Sequence, residues 1–169
     1  MCSNKWKHIY RRKVYIIIAN NKKIPLISII VIIIDITSKL LVSNLMLENQ
    51  SINIIKKFFY ITYAKNIGVA FSMLKGSRVL IIIITLIIIG FINKYISNKK
   101  LTNIEQISTG LILGGAIGNL IDRIIYGYVI DFLDFKIGSF NYPIFNIADI
   151  SIVIGVIIVL IINIKKESS

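Results

Sequence analysis

The chain has 169 residues, of which 56% are hydrophobic, and it carries a formal net charge of +12. Its mean hydropathy of +0.79 lies well outside the range of ordinary soluble domains, so the basic excess points to anionic lipid rather than to nucleic acid. Cys2 and His8 each stand alone in the sequence, which excludes an intrachain disulfide framework and a four-ligand Cys/His metal site; no metal and no cofactor are expected.

Residues 1–23 form a basic segment with Lys5, Lys7, Arg11, Arg12, Lys13, Lys22 and Lys23. The apolar run from Val14 within it is too short to span a bilayer and reads as an interfacial turn. Four longer runs can each cross: Ile24–Val42, Val79–Ile96, Ile104–Ile125 and Ile147–Ile164. Lys99 and Lys100 between the second and third spans, and Lys165 and Lys166 in the tail 165–169, share a side with the basic N-terminus. The positive-inside rule makes that side the cytoplasm, so both termini are expected there. The first span holds Asp35 and Lys39 and has no small-residue cleavage site, so no cleavable leader is expected.

Two outer segments connect the spans. Residues 43–77 are rich in aromatic and β-branched side chains and predict a small sheet on the outer leaflet. Residues 126–146 carry Gly127, Gly138 and Pro143 and read as an outer loop. The expected fold is therefore a membrane all-α protein with a small extracytoplasmic β element, a four-transmembrane-helix bundle occupying residues 24–164. No internal repeat is present, and the abundance of Ile, Lys and Asn reads as an AT-rich coding bias.

In that topology Asp35, Lys39, Asn66, Asn119, Asp122, Arg123, Asp131, Asp134, Asn146 and Asp149 converge at one depth beneath the outer surface. Ionisable groups within spans normally face the bundle interior and mark function. Asp35 and Lys39 are spaced i, i+4, and mutual pairing accounts for them as well as function does. Gly110, Gly114 and Gly118 recur every four residues with Gly115 beside them, a spacing that lets helices approach closely; with Gly155 on span four in the same role, it is expected to bring spans three and four together. Two adjacent carboxylates would share one proton, the ionised member activating water and the protonated member polarising a peptide carbonyl. Spacing alone leaves Asp122 a rival for that role; its neighbour Arg123 favours a permanently ionised, structural Asp122, whereas Asp131 sits between Ile130 and Phe132.

The stretches "DITSK" from Asp35, "NIGVAF" from Asn66, "GGAIGNLIDR" from Gly114, "VIDF" from Val129 and "FNIAD" from Phe145 resemble, in order and spacing, the bacterial signal peptidase II family of prolipoprotein signal peptidases. The resemblance implies an aspartic endopeptidase of the cytoplasmic (inner) membrane with catalytic Asp131 and Asp149. It implies supporting or substrate-binding roles for Asp35, Lys39, Asn66, Gly68, Asn119, Asp122, Arg123, Asn146 and Ala148. It implies substrates that are prolipoproteins already carrying diacylglyceryl, cut before the lipobox cysteine, and an enzyme that works as a monomer among membrane lipids. Where the family often has Gln after its first Asp, this chain has Ile36.

Two other classes compete: a small proton- or ion-coupled transporter, and a non-enzymatic assembly subunit. Transporter sites tend to lie near the midplane at broken helices between repeats, whereas these carboxylates sit at one end and repeats are absent. A Ser38–Lys39 catalytic pair is disfavoured because adjacent helical residues point apart.

Overall fold

The computed structural model describes residues 21–68, 77–97, 99–138 and 140–167. Cys2, His8, the Val14 run and the basic residues before Asn21 lie outside them, as do the end of the "NIGVAF" stretch and the last two residues of the tail. The described elements run α1 (Lys23–Leu45), β1 (Ser51–Ile55), β2 (Phe59–Asn66), α2 (Arg78–Ser97), α3 (Asn103–Ile125), β3 (Val129–Ile137), β4 (Phe140–Asn141) and α4 (Ile147–Glu167). The helices coincide with the four predicted spans to within a turn, and each is long and apolar enough to cross a membrane.

Helix α3 is central. It is the least apolar of the four, with a mean hydropathy of 1.2 against 2.3–2.8 for the others, because its neighbours rather than lipid cover much of it. It packs chiefly against α1 and α4. α1 buries Ile24, Ser28, Val31, Asp35, Lys39 and Val42, a single stripe at helical spacing. By contrast, Ile81 is the only buried residue of α2. A capping box starts α3: Thr102 Oγ1 accepts from the Glu105 N–H while Glu105 accepts from the Thr102 N–H. Lys166 at the end of α4 pairs with Glu105 at 2.7 Å, tying the two helices together at that end.

Glycine decides how closely these helices approach: α3 and α4 do come together as expected, but not through the i, i+4 series. A Cβ at Gly110 would lie 2.8 Å from the Ile27 Cβ, and one at Gly114 would lie 2.9 Å from the Ser28 carbonyl oxygen. These two glycines therefore bring α3 onto α1, not onto α4. Contact with α4 comes instead through Gly115, whose added Cβ would run into the Ala148 carbonyl oxygen, and through Gly155 of α4, where it would lie 2.7 Å from the Ser108 carbonyl oxygen. The i, i+4 pattern alone could not separate the two faces, because 110, 114 and 115 straddle them. Gly115→Val is expected to destabilise the protein by about 1–3 kcal/mol, read as a lowered melting temperature in detergent. Gly90→Val on α2, where a Cβ meets open space, serves as the neutral comparison.

All four strands gather at one end of the bundle in a single antiparallel sheet of order β1-β2-β3-β4. The segment 126–146 is thus corrected from a loop to a sheet contributor: β3 is hydrogen-bonded to β2 with Ala64 opposite Asp131 and Asn66 opposite Val129. Its polarity hid this, since Asp131, Asp134 and Lys136 break the apolar run. Val42 and Met46 from α1, Tyr63 from β2, and Ile130 and Phe132 from β3 form a core that seats the sheet on the helix ends. Asp134, expected among the converging carboxylates, does not join them. It lies on the other face of β3 from Asp131, accepts from Thr62 Oγ1 at 2.8 Å and lies 3.8 Å from Lys136 Nζ.

Candidate active site

Three helices and two strands supply the cluster beneath the sheet. α1 supplies Asp35 and Lys39, α3 supplies Asn119, Asp122 and Arg123, β3 supplies Asp131, and the start of α4 supplies Asn146, Ala148 and Asp149. Asn66 and Gly68 arrive from the end of β2. All nine of the supporting residues read from the sequence stand within this cluster or against it.

Lys39 organises its lower layer. Only 1% exposed, its ammonium lies 2.7 Å from Asp35 and 3.0 Å from Asp122, and it donates to Asn119 Oδ1 at 3.0 Å. A charge buried this deeply persists only when it is paired and hydrogen-bonded. Its two carboxylates each hold a further element. Asp35 accepts the Ala148 N–H at 2.9 Å, fixing the first turn of α4, and Asp122 accepts the Ile130 N–H at 3.1 Å, fixing the start of β3. Gly118 makes room: a Cβ there would lie 2.6 Å from Asp35 Oδ2.

The upper layer joins Asp131 to Asp149 through asparagines. Asn146 Nδ2 donates to Asp131 Oδ1 at 2.6 Å, and Asn146 Oδ1 accepts the Asp149 N–H at 2.9 Å. The Asp149 carboxylate returns to the Asn146 N–H at 3.3 Å. This reciprocal pair is an N-terminal helix cap, so the start of α4 and the position of Asp149 are the same feature. Asn119 has both of its polar atoms committed. Its Oδ1 accepts from Lys39 and Asn146, and its Nδ2 donates to Asp149 Oδ1 at 2.8 Å. From the sheet side Asn66 Nδ2 donates to Asp131 Oδ2 at 2.9 Å. Arg123 is buried and holds two carbonyls, donating to Gly68 at 2.8 Å and to Asn119 at 3.3 Å.

The two carboxylates differ in setting. Asp131 is 2% exposed, and its carboxyl is pushed up to about 7, first by burial and then by the nearby Asp149 charge, against the hydrogen bonds from Asn66 and Asn146 and the attraction of Lys39. Asp149 is half-buried in the first turn of α4. A deeply buried carboxyl that titrates near neutrality beside a more accessible carboxylate is an arrangement that can move protons at pH 7.

One part of the site was invisible in the sequence. Phe132 and Leu133 donate their N–H groups to the Phe145 carbonyl at 3.0 and 2.8 Å, and the Phe145 N–H returns to Leu133 at 3.1 Å. This short antiparallel contact brings Asn146 against Asp131. The apolar and aromatic content of 128–135 was the signal that could have pointed to it. Among the described residues no group of three or more His, Cys, Asp or Glu is arranged to hold a metal ion.

The family model described as "Signal peptidase (SPase) II" matches residues 27–165. The chain is 48% identical to a lipoprotein signal peptidase of Halothermothrix orenii over 130 residues, covering 77% of this chain and 87% of that one. It is 41% identical to a lipoprotein signal peptidase of Staphylococcus carnosus over 136 residues, covering 80% and 86%. A solved bacterial membrane enzyme superposes with a TM-score of 0.80 at 36% identity, over 85% of this chain and 88% of that one. A second superposes at 0.75 with 37% identity, over 83% and 91%.

Proposed function

The chain belongs to the signal peptidase II family, and from that premise we propose that Asp131 and Asp149 are the catalytic dyad of an intramembrane aspartic endopeptidase. Its substrates are prolipoproteins modified with diacylglyceryl, and the scissile bond is the one before the lipobox cysteine. The observation that carries this reading is the Asn146 bridge, which holds a deeply buried carboxyl and a half-exposed one in a single hydrogen-bonded unit.

The chemistry needs no cofactor. Asp149, as general base, takes a proton from water as the water oxygen bonds to the scissile carbonyl carbon. Asp131 gives its proton to the carbonyl oxygen, and a tetrahedral diol forms. As that diol collapses, one hydroxyl proton returns to Asp131, the C–N bond breaks and Asp149 protonates the departing cysteine amine. Both carboxyls finish as they began. Asn66, Asn119 and Asn146 keep the two groups in register, and Arg123 holds the Gly68 carbonyl at the rim.

The protein is a multi-pass membrane protein, placed by this proposal in the cytoplasmic (inner) membrane with both termini cytoplasmic and the site near the extracytoplasmic face. Two features support it. Lys22, Lys23, Lys99, Lys100, Lys165 and Lys166 all lie at the end opposite the sheet. The sheet end exposes Ile52, Ile54, Ile55 and Phe58, side chains suited to a lipid surface. The dyad is complete within one chain, so the proposal needs no second copy.

The test is cleavage by purified protein of two membrane-anchored precursors at equal membrane density, one with diacylglyceryl on the cysteine and one without. Lipidation fixes the cysteine at the depth of the dyad, and a misplacement of about 1 Å can cost about 10²-fold, so the lipidated precursor should be cut about 10²-fold faster. Equal rates would mean that only the peptide is read. The pH profile gives a second check. A carboxyl that must be protonated and titrates at about 7 loses its proton as pH rises, so kcat/KM should fall about tenfold per pH unit above neutrality. A profile flat from about pH 6 to 9 would remove Asp131 as the proton donor.

A further inference from the structure

An apolar groove of about 380 Å³, in the size range of small-ligand sites, opens between α1 and α2 at the end of the bundle remote from the dyad. Its walls include Ile29 and Ile32 of α1 and Ile89 and Ile96 of α2, and its floor includes Leu113 and Ile117 of α3. The groove opens beside the contact that Ile89, Ile92 and Ile96 of α2 make with Ile24, Leu101 and Leu113, where α2 buries little of its own surface.

Depth and charge say what fits it. From Ile24 to Ile32 the α1 wall rises about 12 Å, close to the roughly 15 Å of one hydrocarbon leaflet, half of a 30 Å core. Apolar side chains line the deep part, while Asn21 and Asn93 stand among the lining residues nearer the helix ends. Lys22 and Lys23 precede the α1 wall, and Lys99 and Lys100 follow the α2 wall. All four are exposed, and among the described residues none of them ion-pairs with a carboxylate. Glu105, the carboxylate at the start of α3, is committed to Thr102 and Lys166. A one-leaflet-deep apolar channel under an uncompensated cationic rim matches a phospholipid with an anionic headgroup. We propose that this groove is a binding site for one acyl chain of an anionic phospholipid of that leaflet, with its phosphate held by the Lys22/Lys23 and Lys99/Lys100 pairs. The bound lipid fills the gap that weak α2 packing leaves, and it is distinct from any lipid on a substrate at the other end.

Native mass spectrometry of the full chain in detergent, with phosphatidylglycerol or phosphatidylcholine of identical acyl chains, tests this. The wild-type protein should retain one phosphatidylglycerol about tenfold more tightly than phosphatidylcholine, as expected for several lysines acting on one anionic headgroup. Changing Lys22, Lys23, Lys99 and Lys100 together to Gln should remove the preference. Ile89→Trp, which fills the groove and leaves the rim intact, should remove the retained lipid while precursor cleavage stays within about twofold, and Ile29→Trp from the opposite wall gives the same readout if that variant folds poorly. Equal retention of the two lipids by the wild-type chain overturns the proposal without any variant. Retention unchanged in an active groove-filled protein overturns it as well.

Discussion

Asp131→Asn and Asp149→Asn are each expected to lower precursor cleavage by at least about 10²–10⁴-fold, the usual loss for a catalytic acid or base, while the protein stays folded in the membrane. Asparagine keeps the size of the side chain and one of its acceptor oxygens. At position 131 that oxygen can still accept from Asn146, which otherwise donates to Asp131 at 2.6 Å. At position 149 the backbone N–H that Asn146 Oδ1 accepts is untouched, so α4 still starts where it did. Neither amide can take a proton from water or share one across the pair. Asp122→Asn should behave differently. It weakens the grip on Lys39 and on the Ile130 N–H, so folded yield should drop and the activity of the surviving fraction should fall only partially. A well-folded, inactive Asp122→Asn beside an active Asp131→Asn would move the dyad to Asp122.

Lys39→Met should cost about 3–5 kcal/mol of stability, the penalty for removing one partner from a buried ion pair. Methionine fills the volume of the lysine stem, so the loss is electrostatic rather than a cavity. Asp35, 0% exposed, and Asp122, 3% exposed, would face each other without their shared cation. Asn119 would lose the donor that helps fix its amide orientation and through it the hydrogen bond to Asp149. Thermal unfolding in detergent should show the drop. Adding Asp35→Asn and Asp122→Asn to Lys39→Met should recover part of it, because the uncompensated charges go with their partner. A Lys39→Met protein as stable as wild type would mean that the triad carries no net structural weight.

The spans were legible because lipid imposes a length and a polarity that composition reveals directly. The polar residues of the candidate site were legible for the same reason: Asn119, Asp122 and Arg123 stand out after the apolar and glycine stretch from Gly110 to Gly118. Their partners were harder to read. The i, i+4 spacing of Asp35 and Lys39 announced one contact but could not announce that Asp122 and Asn119 complete the set from another helix. Likewise the glycines of α3 signalled close approach without saying to which helix, since side-chain direction depends on rotation within the bundle. The strand that carries Asp131 was missed because its register is set by β2 and by the Phe145 backbone, both distant in the sequence or across a turn. Asp134 illustrates the same limit: three residues from Asp131, it reverses face because a strand alternates.

Helix α2 offers a contrast with the rest of the molecule. With Ile81 its only buried residue, nearly every position from Arg78 to Ser97 meets lipid or the edge of the bundle rather than a fitted neighbour. Lipid accepts isoleucine, leucine, valine and phenylalanine almost interchangeably. Substitutions among these residues are therefore expected to be close to neutral here. The run "VLIIIITLIII" from Val79 meets that demand with almost one residue type. In α3, where Gly115 meets a backbone and Asp122 holds a strand, the same substitutions would meet a fitted partner. Within one short chain, tolerance to substitution is thus expected to differ from helix to helix.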